Sequence, residues 1–214
     1  MVVCVVILLT IIDQWIKIYV KTHFTMHECY EVTSWFKLLF IENNGMAFGL
    51  EFGTKLFLTL FRIIASCAGI WYIARLIKRG VNTGFLFTLS AILAGAIGNI
   101  IDCMFYGLIF DNPYGHPAQF VPFGEGYGSF LQGRVVDMFY FPLVEWNWPD
   151  WIPFCGGDHF IFFSPIFNFA DSCITCGVFA LVIFYHKMLT RLSADKDEEA
   201  SPEAGQEKLD EERK

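Results

Sequence analysis

Four long apolar runs dominate the 214-residue sequence, at residues 2–20, 56–77, 84–102 and 160–185. Each approaches the roughly 20 residues that a helix needs to cross a bilayer. The composition agrees: 55% of residues are hydrophobic and 18% aromatic, well above soluble-domain usage. The pattern predicts a membrane all-α fold, a bundle of four transmembrane helices. Short basic text, LIKRGVNTG, separates the second and third runs and makes them a hairpin. Arg75, Lys78 and Arg79 lie at that turn, Lys187 and Arg191 follow the fourth run, and the connection 103–159 holds one base, Arg134. The positive-inside bias then puts both termini and the 78–83 turn in the cytoplasm and the long connections 21–55 and 103–159 outside. EWNWPDW, residues 145–151, suits an interfacial aromatic belt on the outer side. The first run has no basic segment before it and no small-x-small site after it, so it reads as a retained span and not a cleaved leader.

The net charge of −7 belongs mostly to the end of the chain: residues 193–214 hold nine acids and four bases. That segment has almost no large apolar residue and reads as a disordered or frayed polar tail. Residues 1–192 form the membrane domain. The acidity is a property of the tail, and no nucleic-acid partner is expected. Of seven cysteines, only Cys29 and Cys155 fall in aqueous segments, where a disulfide between them is conceivable. The five histidines show no metal-ligand spacing, and neither a metal nor another cofactor is expected.

An ionisable side chain within a span costs several kcal/mol and marks a functional site by default. Asp13 lies about 17 Å along the first run at about 1.5 Å per residue, past the midplane, and Lys17 follows one turn later on the same helix face. Asn99 and Asp102 end the outward-running third run, and Asn168 and Asp171 open the inward-running fourth. All converge on the outer leaflet. GNIID and FNFAD each place Asn three residues before Asp, on one helix face. VVDM, residues 135–138, brings Asp137 back to the membrane surface between apolar neighbours.

Asp137 and Asp171 together suggest paired-carboxylate chemistry. Close like charges cannot both ionise, so one proton is shared. One acid then serves as general base on a water and the other as general acid toward a carbonyl, as in aspartic peptidases. The neighbouring Asn side chains could orient the acids or bind a tetrahedral intermediate. Other readings stand beside this one. Asp102 with Asn99 could pin helices, Asp13 with Lys17 could be a buried ion pair or a headgroup contact, and Asn43-Asn44-Gly45 could be a turn. A small transporter could use Asp13, Lys17, Asp102 and Asp171 as a proton or ion relay, and Cys173 with Cys176 could serve thiol redox chemistry.

The constellation resembles the lipoprotein signal peptidase (signal peptidase II) family, in order over most of residues 11–178. DQWIK is similar to the D-Q-x-x-K box, through Asp13 and Lys17. NNGMAF resembles N-x-G-x-A-F, through Asn43, Gly45, Ala47 and Phe48. GAIGNIID resembles G-x-x-G-N-x-x-D, through Gly98, Asn99 and Asp102; VVDM resembles V-V-D-F, through Asp137; FNFADSCI resembles F-N-x-A-D-x-x-I, through Asn168, Ala170 and Asp171. The resemblance implies a four-span bacterial inner-membrane enzyme with extracytoplasmic strands, Asp137 and Asp171 catalytic, and the remaining box residues supporting the site. It implies diacylglyceryl-modified prolipoproteins as substrates, cut N-terminal to the lipidated cysteine, contact with membrane lipids, and inhibition by globomycin-type cyclic peptides. Three departures stand out. The family's Arg after G-N-x-x-D is Cys103, and Arg134 is the expected replacement cation. Residues 103–134 and 141–158 are long and are expected to cover the site. The tail is an extension expected to be dispensable after Leu192.

Overall fold

In the computed structural model, which describes residues 1–43, 55–162 and 164–199, the apolar runs become helices. α1 spans Val2–His23, α2 Lys55–Lys78 and α3 Thr83–Ile101. A π-helical turn at Asp102–Tyr106 and a single turn, α4 (Gly107–Ile109), prolong α3. These three are long and apolar enough to cross a membrane. α3 starts where Asn82 accepts hydrogen bonds from the Gly84 and Phe85 amides, satisfying two of the donors a helix start leaves orphaned.

The fourth run departs from expectation. Its first part is extended: β5 (His159–Phe162) and β6 (Ile166–Phe167) precede α5, which begins at Phe169 and ends at Phe184. Short apolar runs do not distinguish strand from helix by themselves. The boundary is set by Asn168, whose side chain caps the Asp171 amide while the Asp171 carboxylate returns to the Asn168 amide. Asn168 is thus the cap of α5 and not, as FNFAD suggested, a residue on the same helix face as Asp171. At 16 residues α5 is about 24 Å long, and it turns by 80° into α6 (His186–Glu199), so the pair forms a bent fourth candidate span. The helix therefore continues past Leu192, and residues 200–214 lie outside the described part.

Outside the helices the chain is richer in strands than the apolar pattern implied. β1 (Cys29–Thr33), β2 (Phe36–Asn43), β3 (Val135–Tyr140) and β6 form an antiparallel sheet in the order β1-β2-β3-β6. β4 (Val144–Asn147) and β5 form a separate hairpin, on which Trp146 packs against Phe160 and Trp148. Along β3 the alternation is used in full: Val136 and Met138 enter an apolar cluster with Val20, Phe40, Tyr106, Phe110 and Ala118, while Asp137 lies on the opposite strand face. The long connection after α4 folds into this cluster. Its backbone bonds to Lys21, Leu108, Gly107 and Cys103, so it packs against the ends of α1 and α3. All seven cysteines are free, Cys29 and Cys155 included.

α3 and α5 pack most closely. A Cβ on Gly95 would collide with the Ala170 carbonyl and the Ile174 side chain, and one on Gly177 would meet Ile92. Small residues permit this approach, which gives membrane helices their van der Waals contact. Gly95→Ala is expected to force α5 away from α3 and to lower the melting temperature in detergent, at a cost of about 1–3 kcal/mol. An unchanged melting temperature would contradict this packing.

Candidate active site

Lys17 sits at the centre of the polar cluster and is fully buried. Its ammonium lies 2.9 Å from Asp13 Oδ2 and 2.7 Å from Asp102 Oδ2, and it donates to Asn99 Oδ1 at 2.8 Å. An isolated buried cation is prohibitive, whereas one with two carboxylates and a carbonyl oxygen is sustainable. Asp13 does more than balance charge. Its Oδ1 accepts the Ala170 amide at 2.9 Å, so α1 caps the first turn of α5. Gly98 makes room, since a Cβ there would strike the Asp13 carboxylate. Gln14 completes the joint: its amide donates to Asp102 Oδ1 at 2.8 Å and to the Gly98 carbonyl at 3.1 Å, and it accepts from the Tyr106 hydroxyl at 3.1 Å.

This hub fixes the orientation of two asparagines. Lys17 can only donate, so Asn99 must turn its oxygen toward it. The Asn99 amide group then faces Asp171 and donates to Oδ1 at 2.8 Å. Asn168 is fixed by the same logic. Its oxygen accepts the Asp171 backbone amide at 2.9 Å, so its NH2 group reaches Asp137 Oδ1 at 2.7 Å and Asn99 Oδ1 at 3.2 Å. Asn43, at the end of β2, also hydrogen-bonds Asp137. Each of the two acids is therefore held by an amide whose direction is dictated from behind.

The structure thus gathers Asp13, Lys17, Asn43, Gly98, Asn99, Asp102, Asp137, Asn168, Ala170 and Asp171 into one cluster drawn from α1, α3, α5, β2 and β3. Gly45, Ala47 and Phe48 lie outside the described residues. Arg134 is placed elsewhere. It donates to Glu42 Oε2 at 2.9 Å and to Asn112 Oδ1 at 3.1 Å and stacks over Tyr127, while Lys21 pairs with the other Glu42 oxygen. Beside Cys103 stands Arg62 of α2, with Nη1 3.7 Å from Sγ. Sequence reasoning passed over Gln14, Tyr106 and Arg62. Gln14 stood inside a quoted box, and Arg62 was visible as a charge within the second apolar run.

Asp137 is only 2% exposed, whereas Asp171 is half-buried. Asp171 and Asn99 line a cavity of about 440 Å³ between α2, α3 and α5, walled mainly by apolar side chains. Burial, and second the neighbouring Asp171 carboxylate, push the Asp137 carboxyl up from its ordinary 3.8 to about 7; hydrogen bonds from Asn168 and Asn43 and the charge of Lys17 oppose the shift. Among the described residues no three His, Cys, Asp or Glu side chains gather as metal ligands.

Comparison with known proteins decides the family. The model of the signal peptidase (SPase) II family matches residues 5–187. The chain belongs to the signal peptidase II family. It is 50% identical over 188 residues to a lipoprotein signal peptidase of Porphyromonas gingivalis, covering 87% of this chain and 83% of that one. It is 38% identical to a lipoprotein signal peptidase of Amoebophilus asiaticus, covering 84% and 75%. A solved bacterial membrane enzyme shares the fold with a TM-score of 0.57 at 24% identity, over 87% of this chain and 92% of that one. The protein is accordingly a membrane protease of the signal peptidase II type.

The raised Asp137 carboxyl makes stability depend on pH with a definite sign. Its pKa is higher folded than unfolded, so between about 4 and about 7 the folded chain binds more protons. Stability from this group is then greatest at low pH and falls as pH rises through that window. Melting in detergent from pH 4 to 8 should show a steeper decline for wild type than for Asp137→Asn, which has no charge to acquire. Parallel curves would contradict the buried, proton-holding Asp137.

Proposed function

We propose that this chain removes the signal peptide from diacylglyceryl-modified prolipoproteins, cutting N-terminal to the lipidated cysteine, with Asp137 and Asp171 as an aspartic dyad. The observation that carries the reading is the pair of orientation-locked asparagines, each donating to one acid, with Asn99 and Asp171 at the edge of an apolar cavity. That arrangement brings Asp171 to the edge of an apolar cavity with the Asp137 carboxylate beside it, which suits cleavage of a lipidated transmembrane peptide. The relatives named lipoprotein signal peptidase support the substrate class.

The chemistry follows from the two environments. Asp137, the deeper acid, holds the shared proton at neutral pH. Asp171 takes a proton from a water as its oxygen attacks the scissile carbonyl carbon, and Asp137 gives its proton to the carbonyl oxygen. The resulting gem-diol collapses: Asp171 delivers its proton to the leaving nitrogen, the C–N bond breaks, and Asp137 recovers a proton from the diol. Asn99 and Asn168 keep the carboxylates in register throughout. Acyl chains buried in the apolar cavity add binding at about 0.8 kcal/mol per CH2, which allows loose sequence specificity. The enzyme would work in a bacterial inner membrane with both termini cytoplasmic and the site toward the periplasmic face, in contact with membrane lipids and open to globomycin-type inhibitors.

A gel-shift cleavage assay in micelles tests this directly. Wild type should process diacylglyceryl-prolipoprotein and be blocked by globomycin, while Asp137→Asn and Asp171→Asn should each lose about a thousandfold in rate, within the range for general acid–base catalysis. Cleavage surviving in either variant would overturn the dyad, and no cleavage by folded wild type would overturn the function.

A further inference from the structure

The cavity beside Asp171 has a polar edge that the dyad does not use. Thr59, Ser66 and Ile73 recur every seven residues on α2 as its buried stripe. Ser66 is only 7% exposed, lines the cavity, and its hydroxyl has no hydrogen-bond partner among the described residues. A buried hydroxyl left so costs stability of order 1 kcal/mol or more unless it serves another purpose. Arg62 lies four residues earlier, so the two side chains share a helix face, and it lines the same cavity. Among the described residues its guanidinium donates to the Cys103 thiol, a weak acceptor. A cation placed along a membrane span toward an apolar cavity calls for a stronger acceptor than sulfur.

We propose that Arg62 and Ser66 form a carbonyl-binding subsite on α2, which holds ester or amide oxygens of the bound substrate beside Asp171. The inference rests on the proposed peptidase reading and deepens it. Both residues are donors on the α2 side of a cavity whose other polar lining is Tyr72, Asn99 and Asp171, and two donors one helical turn apart suit uncharged acceptors spaced along a chain. Two parts of a lipidated prolipoprotein carry such oxygens: the acyl ester carbonyls of the diacylglyceryl group and the backbone carbonyls of the signal peptide.

Steady-state kinetics on Arg62→Gln, Arg62→Lys and Ser66→Ala test the subsite, using a diacylglyceryl prolipoprotein and its dialkyl-ether analogue, which lacks ester carbonyls. The expected result is a rise in KM of about tenfold or more for Arg62→Gln and about threefold or more for Ser66→Ala, with kcat little changed and partial recovery in Arg62→Lys. Ser66→Ala should also melt at or above the wild-type temperature, because it removes an unpartnered hydroxyl. A penalty confined to the ester substrate assigns the acceptor to the lipid, and an equal penalty on both substrates assigns it to the peptide; either supports the subsite. Wild-type KM values for Arg62→Gln and Ser66→Ala on both substrates would overturn it while leaving the peptidase reading intact. A fall in kcat with lowered melting temperature and unchanged KM would reduce both residues to a structural role and also overturn it. Failure of wild type to cleave either substrate would remove the peptidase reading and the subsite together.

Discussion

A single buried ammonium organises this protein. Lys17 has no route to water, so α1 and α3 must each bring it an acid, and α3 must also bring an amide oxygen. Removing one member of such a set leaves an uncompensated charge, a loss of about 3–5 kcal/mol, which makes the helix arrangement close to obligatory. Asp13 extends the constraint to α5 by accepting the Ala170 amide. The positions of α1, α3 and α5 at this end of the bundle are therefore set by hydrogen-bond satisfaction and not by hydrophobicity, which lipid cannot supply between helices.

The same constraint reaches the proposed chemistry in one step. An asparagine amide has two ends, and its direction is ambiguous until something fixes one of them. Lys17 fixes Asn99, and the Asp171 backbone amide fixes Asn168. Both then present N–H groups to carboxylates, so the geometry of Asp137 and Asp171 is set by the groups behind them. Asp137 and Asp171 differ in burial, because the strand-borne acid is shielded by β2 and the helix cap while the other opens onto the cavity. A second charged knot, Lys21 and Arg134 on Glu42, ties β2 to the end of α1 and to the long connection, and it accounts for Arg134 without any part in the cavity.

The spans and the site were legible to different degrees, for physical reasons. α1, α2 and α3 followed from length and apolarity, since backbone in hydrocarbon has few alternatives. The polar residues at one depth pointed to Asp137 and Asp171 because charges in a membrane are rare enough to be informative. The start of α5 was misplaced, because HFIF and IF are as apolar as a helix and only the Asn168 cap marks the border. FNFAD was read as two residues on one helix face, whereas the capping box uses the same spacing for a turn. Arg134 was read as the replacement cation because it is near Asp137 in sequence; in the structure its guanidinium is held by Glu42 and Asn112, and Arg62 of α2 lies beside Cys103.

The central claim is that Asp137 and Asp171 share one proton at neutral pH and cleave with it. The most direct measurement is the pH dependence of kcat/KM of the wild-type enzyme on a diacylglyceryl prolipoprotein. The account predicts a bell whose alkaline limb falls with an apparent pKa near the value of about 7 set by the buried Asp137, a property of the pair as a whole. A rate that stays level from pH 6 to about pH 9 would mean that no such proton is needed, and would contradict the dyad.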